Sequence, residues 1–271
     1  MRWVWTVREL RAALSQSRAA GRRIGFVPTM GALHAGHVAL FRLARQECDV
    51  VVATVFVNPK QFNDPADLAA YPRQEDKDGE MAAEAGVDVF FVPRAADVYR
   101  PEHATFVHVA GAAVGFEGDH RPGHFDGVAL VCLKLFHMVA PHVAYFGQKD
   151  AQQVAVIKQV VRDLDLDLDV RVVPTMRDPQ GLALSSRNAR LSPAEKTRAL
   201  AIPRALKAGV AASKRGEDPV AAARAELGDL DVEYVAIAEL DGDPTLVIAA
   251  RAGDTRLIDN VPLKRPQAAG I

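Results

Sequence analysis

The chain has 271 residues, with a hydrophobic fraction of 49%, a charged fraction of 25% and a formal net charge of -1, which are ordinary values for a globular protein. The length allows one large domain, or one medium and one small domain. A nucleic-acid-binding protein usually has a strongly basic face or run, and none stands out here, so we expect no nucleic-acid partner.

The first residues and the apolar stretches predict a protein of the cytoplasm. The opening MRWVWTVREL has too short an apolar run, and is charged too soon, for a signal peptide. No apolar stretch approaches the roughly 20 residues that span a membrane, so we expect no membrane partner. Cys48 and Cys132 lie in separate apolar stretches without a CxxC pair, which indicates two buried thiols in a reducing compartment.

From residue 6 to residue 173 the hydrophobic pattern predicts strands that alternate with helices. Thr6 is a suitable N-cap for a first helix, and Gly21 is a suitable end for it. Apolar β-branched runs predict strands, and apolar residues at helical spacing predict the helices between them. The further segments, in chain order, are a strand at 23–28, a helix starting near Gly36, a strand at 49–58, a helix at 74–86, a strand at 87–92, a helix at 128–140, a strand at 143–146, a helix at 151–164 and a strand at 168–173.

This alternation predicts a Rossmann-like α/β domain over residues 1–175, with a parallel sheet between two layers of helices. Ligands of such sheets bind beyond the carboxyl ends of the strands. The pattern then changes, and helices followed by a β-meander predict a smaller α+β domain over residues 176–271, with a hinge at 177–188. Its predicted segments are a long helix at 192–216, a second helix at 219–227, and strands at 232–238, 245–250 and 255–260 with turns at 241–242 and 253–254.

The segment PTMGALHAGH, residues 28–37, joins the strand at 23–28 to a helix. Gly31 and Gly36 let the backbone approach a ligand closely, and a helix N-terminus offers N–H groups and partial positive charge to an anion. His34 and His37 are three residues apart and share one face of the helix. The segment therefore predicts a phosphate-facing site. Two alternatives for the histidines are half of a metal site, although a nearby third ligand is lacking, and simple caps of the helix.

Polar side chains also follow the next predicted strand and the strand at 143–146. Asn58 and Gln61 offer donors and acceptors to a small polar substrate, although Asn-Pro alone also indicates a turn. Lys149 can contact a phosphate, and Asp150 can cap a helix, hold a ribose hydroxyl or bind Mg²⁺. Gln153 lies one turn beyond Asp150 on the same face. A capped helix start with surface charges is the alternative for this segment.

The predicted hinge contains two hydroxyls and a guanidinium in the order Ser185, Ser186, Arg187. On a mobile loop these groups can close over a triphosphate. A serine-rich turn between domains is the alternative.

Taken in order, these segments resemble the pantothenate synthetase family, and the match runs from about Phe26 to Asn188, well over half of the chain. The His-x-Gly-His pattern is shared by the nucleotidyltransferase and class I aminoacyl-tRNA synthetase superfamily, whose mobile KMSKS loop corresponds in position to the hinge. The matching segments are PTMGALHAGH, VFVNPKQF, YPR at 71–73, RPGHFDGV at 121–128, KLF at 134–136, GQKD, QQV and GLALSSRN.

The resemblance implies an ATP-dependent ligase of pantothenate and coenzyme A biosynthesis. Pantoate attacks ATP to give pantoyl adenylate and pyrophosphate, and β-alanine then gives pantothenate and AMP. Mg²⁺ accompanies ATP, and the family forms homodimers. The implied catalytic residues are His34, His37, Lys149 and Arg187. The implied ATP site consists of Met30, Gly31, Ala32, Leu33, His34, Ala35, Gly36, His37, Gly147, Gln148, Lys149, Asp150, Met176, Leu184, Ser185, Ser186 and Arg187. The implied substrate residues are Gln61 for pantoate and β-alanine, Gln153 for pantoate, and Asn58 and Tyr71.

Two other functions remain open from the sequence. Another HxGH nucleotidyltransferase would transfer the nucleotide as its final product, and a lysine-rich KMSKS-type loop without an NPxQF segment would favour it. A non-catalytic nucleotide-binding module would have no reason to keep two histidines, Lys149 and Arg187 at separate strand ends.

Overall fold

A computed structural model of the chain describes residues 1–240 and 242–263. The strands are β1 (Arg2–Val4), β2 (Ile24–Thr29), β3 (Val50–Val55), β4 (Val89–Phe91), β5 (Val143–Gly147), β6 (Asp169–Val173), β7 (Asp231–Leu240), β8 (Asp243–Ala252) and β9 (Thr255–Pro262). The α-helices are α1 (Val7–Ala19), α2 (Ala35–Glu47), α3 (Pro65–Ala69), α4 (Glu75–Glu84), α5 (Ala95–Val98), α6 (Phe116–His120), α7 (His124–Val139), α8 (Ala151–Asp163), α9 (Pro193–Ala199), α10 (Ala201–Arg215) and α11 (Pro219–Glu226).

Strands β1 to β6 form one parallel sheet in the order β1-β4-β3-β2-β5-β6. The chain runs outwards from β2 through β3 to β4 and then returns to the other side of β2 as β5. The strand order therefore reverses between β2 and β5, and this is where open α/β sheets bind ligands, beyond the carboxyl ends of the strands. The parallel sheet predicted from the alternating pattern is confirmed.

The central strands are buried on both faces, which explains their continuous apolar sequence. All six residues of β3 are buried. Because side chains alternate along a strand, Val50 and Val52 pack in one core with residues of α1, α7 and α8. Val51 and Ala53 pack in a second core with residues of α2 and α4. Helices thus cover both faces of the sheet, as predicted.

Local sequence signals explain where α1 begins. The Thr6 hydroxyl accepts a hydrogen bond from the backbone N–H of Glu9 at 3.2 Å, and the Glu9 carboxylate accepts one from the N–H of Thr6 at 3.0 Å. This reciprocal pair is a capping box. Hydrogen bonds from the backbone N–H groups of Trp5 and Thr6 lower the pKa of Glu9. The predicted N-cap is confirmed.

The helix predicted at 192–216 is two helices in the structure. The first, α9, ends at Ala199, and α10 starts at Ala201 after Leu200. Pro203 lies in the first turn of α10, where its missing N–H cannot continue the hydrogen-bond ladder of α9. The sequence analysis also did not predict β1, a strand of 3 residues. So short a run has too few residues to display an alternating pattern.

The chain divides into two compact units. The first contains Met1–Gly147 and Gln152–Val173, and the second contains Gln148–Ala151 and the chain from Pro174. In the second unit β7, β8 and β9 form an antiparallel sheet, as predicted. The roles predicted for residues 1–175, in binding nucleotide and pantoate, and for residues 176–271, as a lid, stay predictions.

The second unit has a hydrophobic core of its own, which draws on α9, α10, α11 and the three strands of its sheet. Of the turn predicted at 241–242, residue 241 lies outside the described part of the chain, as does the end of the predicted domain at 264–271. Among the described residues, no helix is long and apolar enough to cross a membrane.

Candidate active site

A tight turn connects β2 to α2 at the point where the strand order reverses. Gly31 and Ala32 both have positive φ angles, of 84° and 52°. The Thr29 hydroxyl accepts a hydrogen bond from the N–H of Gly31 at 3.2 Å and donates one to the carbonyl of Thr54 at 2.7 Å. A methyl group on Gly31 would lie 2.9 Å from both Val55 and Asp78. Position 31 therefore requires glycine both for its backbone conformation and for its space.

His34 and His37 lie side by side at the start of α2, with ring centroids 4.2 Å apart. His34 is the N-cap, and its Nδ1 accepts a hydrogen bond from the N–H of Gly36 at 3.1 Å. The Nδ1 of His37 accepts from the N–H of His34 at 3.2 Å. A ring nitrogen that accepts carries no proton, so the proton of each neutral ring lies on Nε2. Each histidine can therefore donate an N–H through Nε2.

Most backbone N–H groups of this segment are not the free anion ligands that the sequence led us to expect. The N–H groups of Gly31, Ala32, Leu33, His34 and Gly36 donate to side chains of the protein. Those of His37 and Val38 donate to the carbonyl of His34. What these residues offer to a phosphate is the imidazole Nε2–H groups, reinforced by the positive end of the helix.

Asp78, on α4, holds the same turn from the other side. Its side chain is fully buried. One carboxylate oxygen accepts from the N–H of Ala32 at 2.9 Å, and the other accepts from the N–H of Leu33 at 2.8 Å and from Gln74 Nε2 at 3.1 Å. The sequence analysis did not single out Asp78. The available signal was its position one turn before Ala82, on the buried face of an otherwise acidic helix.

Asn58 follows β3 and is 1% exposed. Its Nδ2 donates to Gln61 Oε1 at 2.9 Å and to the carbonyl of Gly127 at 3.0 Å. Its Oδ1 accepts from the N–H of Lys60 at 3.2 Å and from the hydroxyl of Tyr99 at 2.9 Å. Burial raises the pKa of Tyr99, which keeps this hydroxyl protonated as a donor. All four hydrogen-bonding positions of the Asn58 amide are thus used within the protein.

Gln61 is oriented by its neighbours. Because its Oε1 accepts from Asn58, the donor of the buried Gln61 amide is Nε2, which donates to the sulfur of Met30 at 3.1 Å. The structure thus brings Gln61 next to Met30 of the histidine-containing segment. Tyr71, which is 9% exposed, packs edge-on against Phe62 with ring centroids 5.7 Å apart. Of the residues predicted to bind substrate, Gln61 therefore lies beside this segment, Asn58 supports Gln61, and Tyr71 packs on the residue that follows Gln61.

Residues of the RPGHFDGV segment also hold Gln61. The carbonyl of Gln61 is 2.8 Å from His124 Nδ1 and 3.3 Å from Arg121 Nη2. Arg121 Nη1 lies 3.1 Å from His124 Nε2. Since arginine can only donate, His124 accepts at Nε2 and donates from Nδ1 to Gln61. A methyl group on Gly127 would overlap the carbonyl of Lys60, so α7 packs directly against this turn.

Gln153 is half-buried in the first turn of α8, whereas the preceding Gln152 is buried. The Gln152 side chain accepts from the N–H of Glu117 at 2.9 Å and donates to the carbonyls of Ala112, Val114 and Gly115 at 3.1 to 3.2 Å. Gln152 thus holds a neighbouring segment in place. Gln153 is the accessible member of the pair, as its predicted contact with a ligand requires.

In the second unit, Asn260 of β9 anchors the segment Gln148–Asp150. Its Nδ2 donates to the carbonyls of Gln148 and Lys149 at 2.9 and 2.8 Å. Gln148 Nε2 donates to Asn260 Oδ1 at 3.3 Å. Lys149 Nζ lies 3.4 Å from the carboxylate of Asp150. Asn260 was missed in the sequence, where its only signal is a polar pair, Asp259 and Asn260, inside an apolar strand.

The segment predicted as a hinge forms a hairpin-like turn in the same unit. Arg177 pairs with Ala183 in an antiparallel bridge, and the N–H of Leu184 donates to the carbonyl of Met176 at 2.9 Å. The guanidinium of Arg177 donates to both oxygens of the buried Asp259 at 2.6 and 3.0 Å. Ser185 accepts from the N–H of Arg187 at 3.3 Å and caps a short 3₁₀ turn, Ser186–Arg190.

The described residues contain no group of three or more His, Cys, Asp or Glu side chains that could hold a metal ion. The alternative interpretation of His34 and His37 as half of a metal site therefore has no further ligands in this part of the chain. Their Nδ1 atoms are already used as helix caps.

Known proteins resemble this chain over nearly its whole length. The family model described as Pantoate-beta-alanine ligase matches residues 2–262. Proteins named pantothenate synthetase from Thioalkalivibrio sulfidiphilus and Rhizorhabdus wittichii are 49% and 46% identical to it, over 98% and 97% of this chain and 99% of each relative.

Solved structures agree with this similarity. A crystal structure of pantothenate synthetase from Thermus thermophilus has a TM-score of 0.91 at 42% identity, covering 96% of this chain and 99% of the other. A pantoate-beta-alanine ligase from Francisella tularensis, complexed with beta-gamma ATP and beta-alanine, has a TM-score of 0.84 at 36% identity, covering 97% of each chain. The predicted fold class is thereby confirmed.

Proposed function

Because the chain belongs to the pantoate-beta-alanine ligase family, we propose that it condenses pantoate with β-alanine at the expense of ATP, as an AMP-forming ligase of pantothenate biosynthesis. The observation that carries this function is the pair of imidazoles at the start of α2, with the Gln61 amide 3.1 Å from Met30 of the same segment. Donors for phosphates and a donor for a small acid thus belong to one site.

The chemistry requires two displacements. In the first, a carboxylate oxygen of pantoate bonds to the α-phosphorus of ATP, and pyrophosphate leaves with the electrons of the broken anhydride bond. In the second, the amine of β-alanine bonds to the acyl carbon, AMP leaves, and the amine loses a proton. Neither step needs a covalent protein nucleophile. The protein contributes positioned reactants and donors aimed at developing charge.

His34 and His37 supply such donors in this proposal. Their Nε2–H groups contact the phosphate oxygens of ATP and stabilise the charge that grows as pyrophosphate leaves. Because Nδ1 of each ring is occupied by a backbone N–H, the ring cannot rotate away from this orientation without losing a helix cap. The donors are therefore in place before the reaction begins, which is the condition for electrostatic stabilisation of a transition state.

Gln61 and Gln153 act on the substrate side in this proposal. Gln61 offers an N–H₂ group, since its oxygen is occupied by Asn58, and so it recognises acceptor oxygens on pantoate or β-alanine. Gln153 holds pantoate from α8. Tyr71 lines the site through its packing on Phe62. Asn58 acts by orienting Gln61 rather than by binding a substrate.

The remaining nucleotide contacts are proposed from the family motifs alone. Lys149 and Arg187 contribute positive charge to the phosphates, and arginine suits this role because its planar fork pairs with two oxygens. The other proposed nucleotide residues are Met30, Gly31, Ala32, Leu33, Ala35, Gly36, Gly147, Gln148, Asp150, Met176, Leu184, Ser185 and Ser186.

Mg²⁺ enters the proposal as the counter-ion of ATP. Since the described residues contain no cluster of potential metal ligands, the ion would be held mainly by phosphate oxygens and water, as is usual for Mg²⁺ with nucleotides. Bound there, it would neutralise phosphate charge. A homodimer is likewise proposed from the family. The cytoplasmic location stays a prediction.

Isotope exchange tests the proposed order of steps. Purified protein with pantoate, ATP and Mg²⁺ should exchange labelled pyrophosphate into ATP without β-alanine, because the acyl adenylate forms first. β-Alanine alone should not support exchange, and all substrates together should yield pantothenate and AMP. Exchange that depends on β-alanine would contradict the two-step scheme. An adenylylated acid as the final product would instead identify another nucleotidyltransferase.

A further inference from the structure

We propose that Asp78 is a positioning residue that locks the turn before α2 and so fixes the direction in which His34 and His37 donate. This inference rests on the proposed assignment of the two histidines to the phosphates of ATP. Asp78 itself belongs to α4 and carries none of the proposed ligand contacts.

The turn that Asp78 holds has an unfavourable backbone. Gly31 and Ala32 have φ angles of 84° and 52°, in the left-handed region that side chains with a Cβ rarely adopt. Glycine adopts this conformation without an energetic penalty, whereas Ala32 adopts it at a cost. Something outside the turn must therefore keep Ala32 there. Its N–H donates to Asp78 at 2.9 Å, and the N–H of Leu33 donates to the other oxygen at 2.8 Å.

A carboxylate is required to accept both of these hydrogen bonds. The two N–H groups point at two different oxygens of one side chain, and Gln74 donates to one of them at 3.1 Å. An asparagine has one acceptor oxygen, so its N–H₂ group would face a backbone N–H. Asp78 is fully buried, and no water can replace the lost acceptor without a change in packing. Hydrogen bonds to a buried carboxylate are also stronger than those to a neutral amide.

The hydrogen bonds to Asp78 affect the position of the histidines because Leu33 is joined to His34 by one peptide bond. Leu33 immediately precedes His34, whose carbonyl accepts from the N–H groups of His37 and Val38. A displacement of Leu33 therefore moves the N-cap, the ring of His34 and, through the capping box, the ring of His37. A misplacement of about 1 Å in a positioned catalytic group can cost on the order of 10²-fold in rate.

The test compares Asp78→Asn with Asp76→Asn, which lies exposed on the same helix. Asp78→Asn should slow pantoate-dependent pyrophosphate exchange at saturating substrates by about 100-fold, while Asp76→Asn keeps the wild-type rate. Adding Ala32→Gly to Asp78→Asn should restore about tenfold, because glycine occupies the left-handed conformation without help. Ala32→Gly is also measured alone, and the rate of the double variant is compared with its rate. A merely structural role for Asp78 would lower stability without this rescue by a residue in the turn.

NMR adds a readout that does not depend on turnover. In the wild-type protein, ¹⁵N shifts of His34 and His37 should report protons on Nε2, and Asp78→Asn should alter both rings and the amides of Ala32 and Leu33. If Asp78→Asn does not fold, Gln74→Met is the substitute. It removes only the hydrogen bond from the Gln74 side chain to Asp78, and it should lower the exchange rate by a smaller factor.

A wild-type exchange rate in Asp78→Asn, or no restoration when Ala32→Gly is added to it, would overturn the positioning role. The His37→Ala variant distinguishes failure of the positioning role from failure of the proposed function. If His37→Ala leaves exchange intact, the assignment of the histidines to ATP is wrong, whereas the NMR changes in Asp78→Asn would still support the grip on the turn.

Discussion

Two consecutive glutamines at the start of α8 differ in environment and therefore in expected role. Replacing the half-buried Gln153 with leucine keeps the bulk and removes the donor and acceptor. An unpaired polar group of bound pantoate then costs about 1–3 kcal/mol, or roughly ten- to a hundredfold in pantoate affinity. ATP affinity should change little. Titration of each ligand checks this, and a larger loss for ATP than for pantoate would show that Gln153 is wrongly assigned.

Gln152→Leu is the matched control for that experiment. Gln152 is 6% exposed and makes its hydrogen bonds to the backbone of residues 112–117. Its loss removes an acceptor from the N–H of Glu117 and a donor from three part-buried carbonyls, so the free energy of unfolding should fall by about 1–3 kcal/mol. Denaturant unfolding would detect this loss. If Gln153→Leu lowers the free energy of unfolding as much as Gln152→Leu does, Gln153 also has a structural role.

At the scale of secondary-structure elements, the packing of α7 on the turn after β3 sets the position of Gln61. Gly127→Ala would place a methyl group against the carbonyl of Lys60 and 2.9 Å from the N–H of Gln61. Either α7 or the turn must move. We expect the pantoate KM in the exchange assay to rise at least tenfold, because Gln61 is displaced from the pantoate oxygen that it is proposed to bind. The ATP KM should change less. Equal changes in both constants would point to general unfolding of the site.

The elements that the sequence predicted are those whose signals are local. Alternating strands and helices, the cap at Thr6 and the shared face of His34 and His37 depend on residues a few positions apart. The supports of the site do not. Asp78 contacts Ala32 across 46 residues, and His124 contacts Gln61 across 63. No spacing rule relates such positions, so the sequence predicts side chains for the ligands but not these two residues, which hold them in place.

Asn58 illustrates the same limit in a residue that the sequence did single out. Its position after β3 predicted a contact with substrate. Two of its four partners, Tyr99 and Gly127, are 41 and 69 residues away in the chain. Only folding brings Tyr99 and Gly127 to the Asn58 amide, and with them all of its hydrogen-bonding positions are occupied.

At the scale of the whole molecule, several buried weak acids predict a loss of stability in alkali. Burial raises the pKa of the Cys132 thiol to about 12 from an ordinary value of 9.0, and burial also raises the pKa values of Tyr99 and Tyr145. Above pH 9 the unfolded chain therefore binds fewer protons than the folded chain does. The free energy of unfolding must then fall as the pH rises.

Urea unfolding between about pH 7 and pH 10.5 measures this dependence. Each group that is fully neutral when folded and fully ionised when unfolded contributes about 1.4 kcal/mol per pH unit. Cys132→Ala should remove one such contribution above pH 9 and leave the slope below pH 8 unchanged. An identical alkaline slope in the variant would mean that Cys132 ionises as readily in the folded protein as in the unfolded chain.

The capping box uses Nδ1 of each imidazole and the proposed ATP contact uses Nε2, so the two roles together limit which substitutions positions 34 and 37 can tolerate. Serine and aspartate are good helix caps, but neither the short hydroxyl nor the carboxylate can at the same time extend an N–H outwards. Lysine and arginine donate but have no acceptor. Asparagine and glutamine have both groups, but on one terminal amide rather than at opposite edges of a rigid ring. For the proposed contact with ATP, only histidine supplies both an acceptor for the cap and a donor for the phosphates, so any substitution at either position should cost one of the two roles.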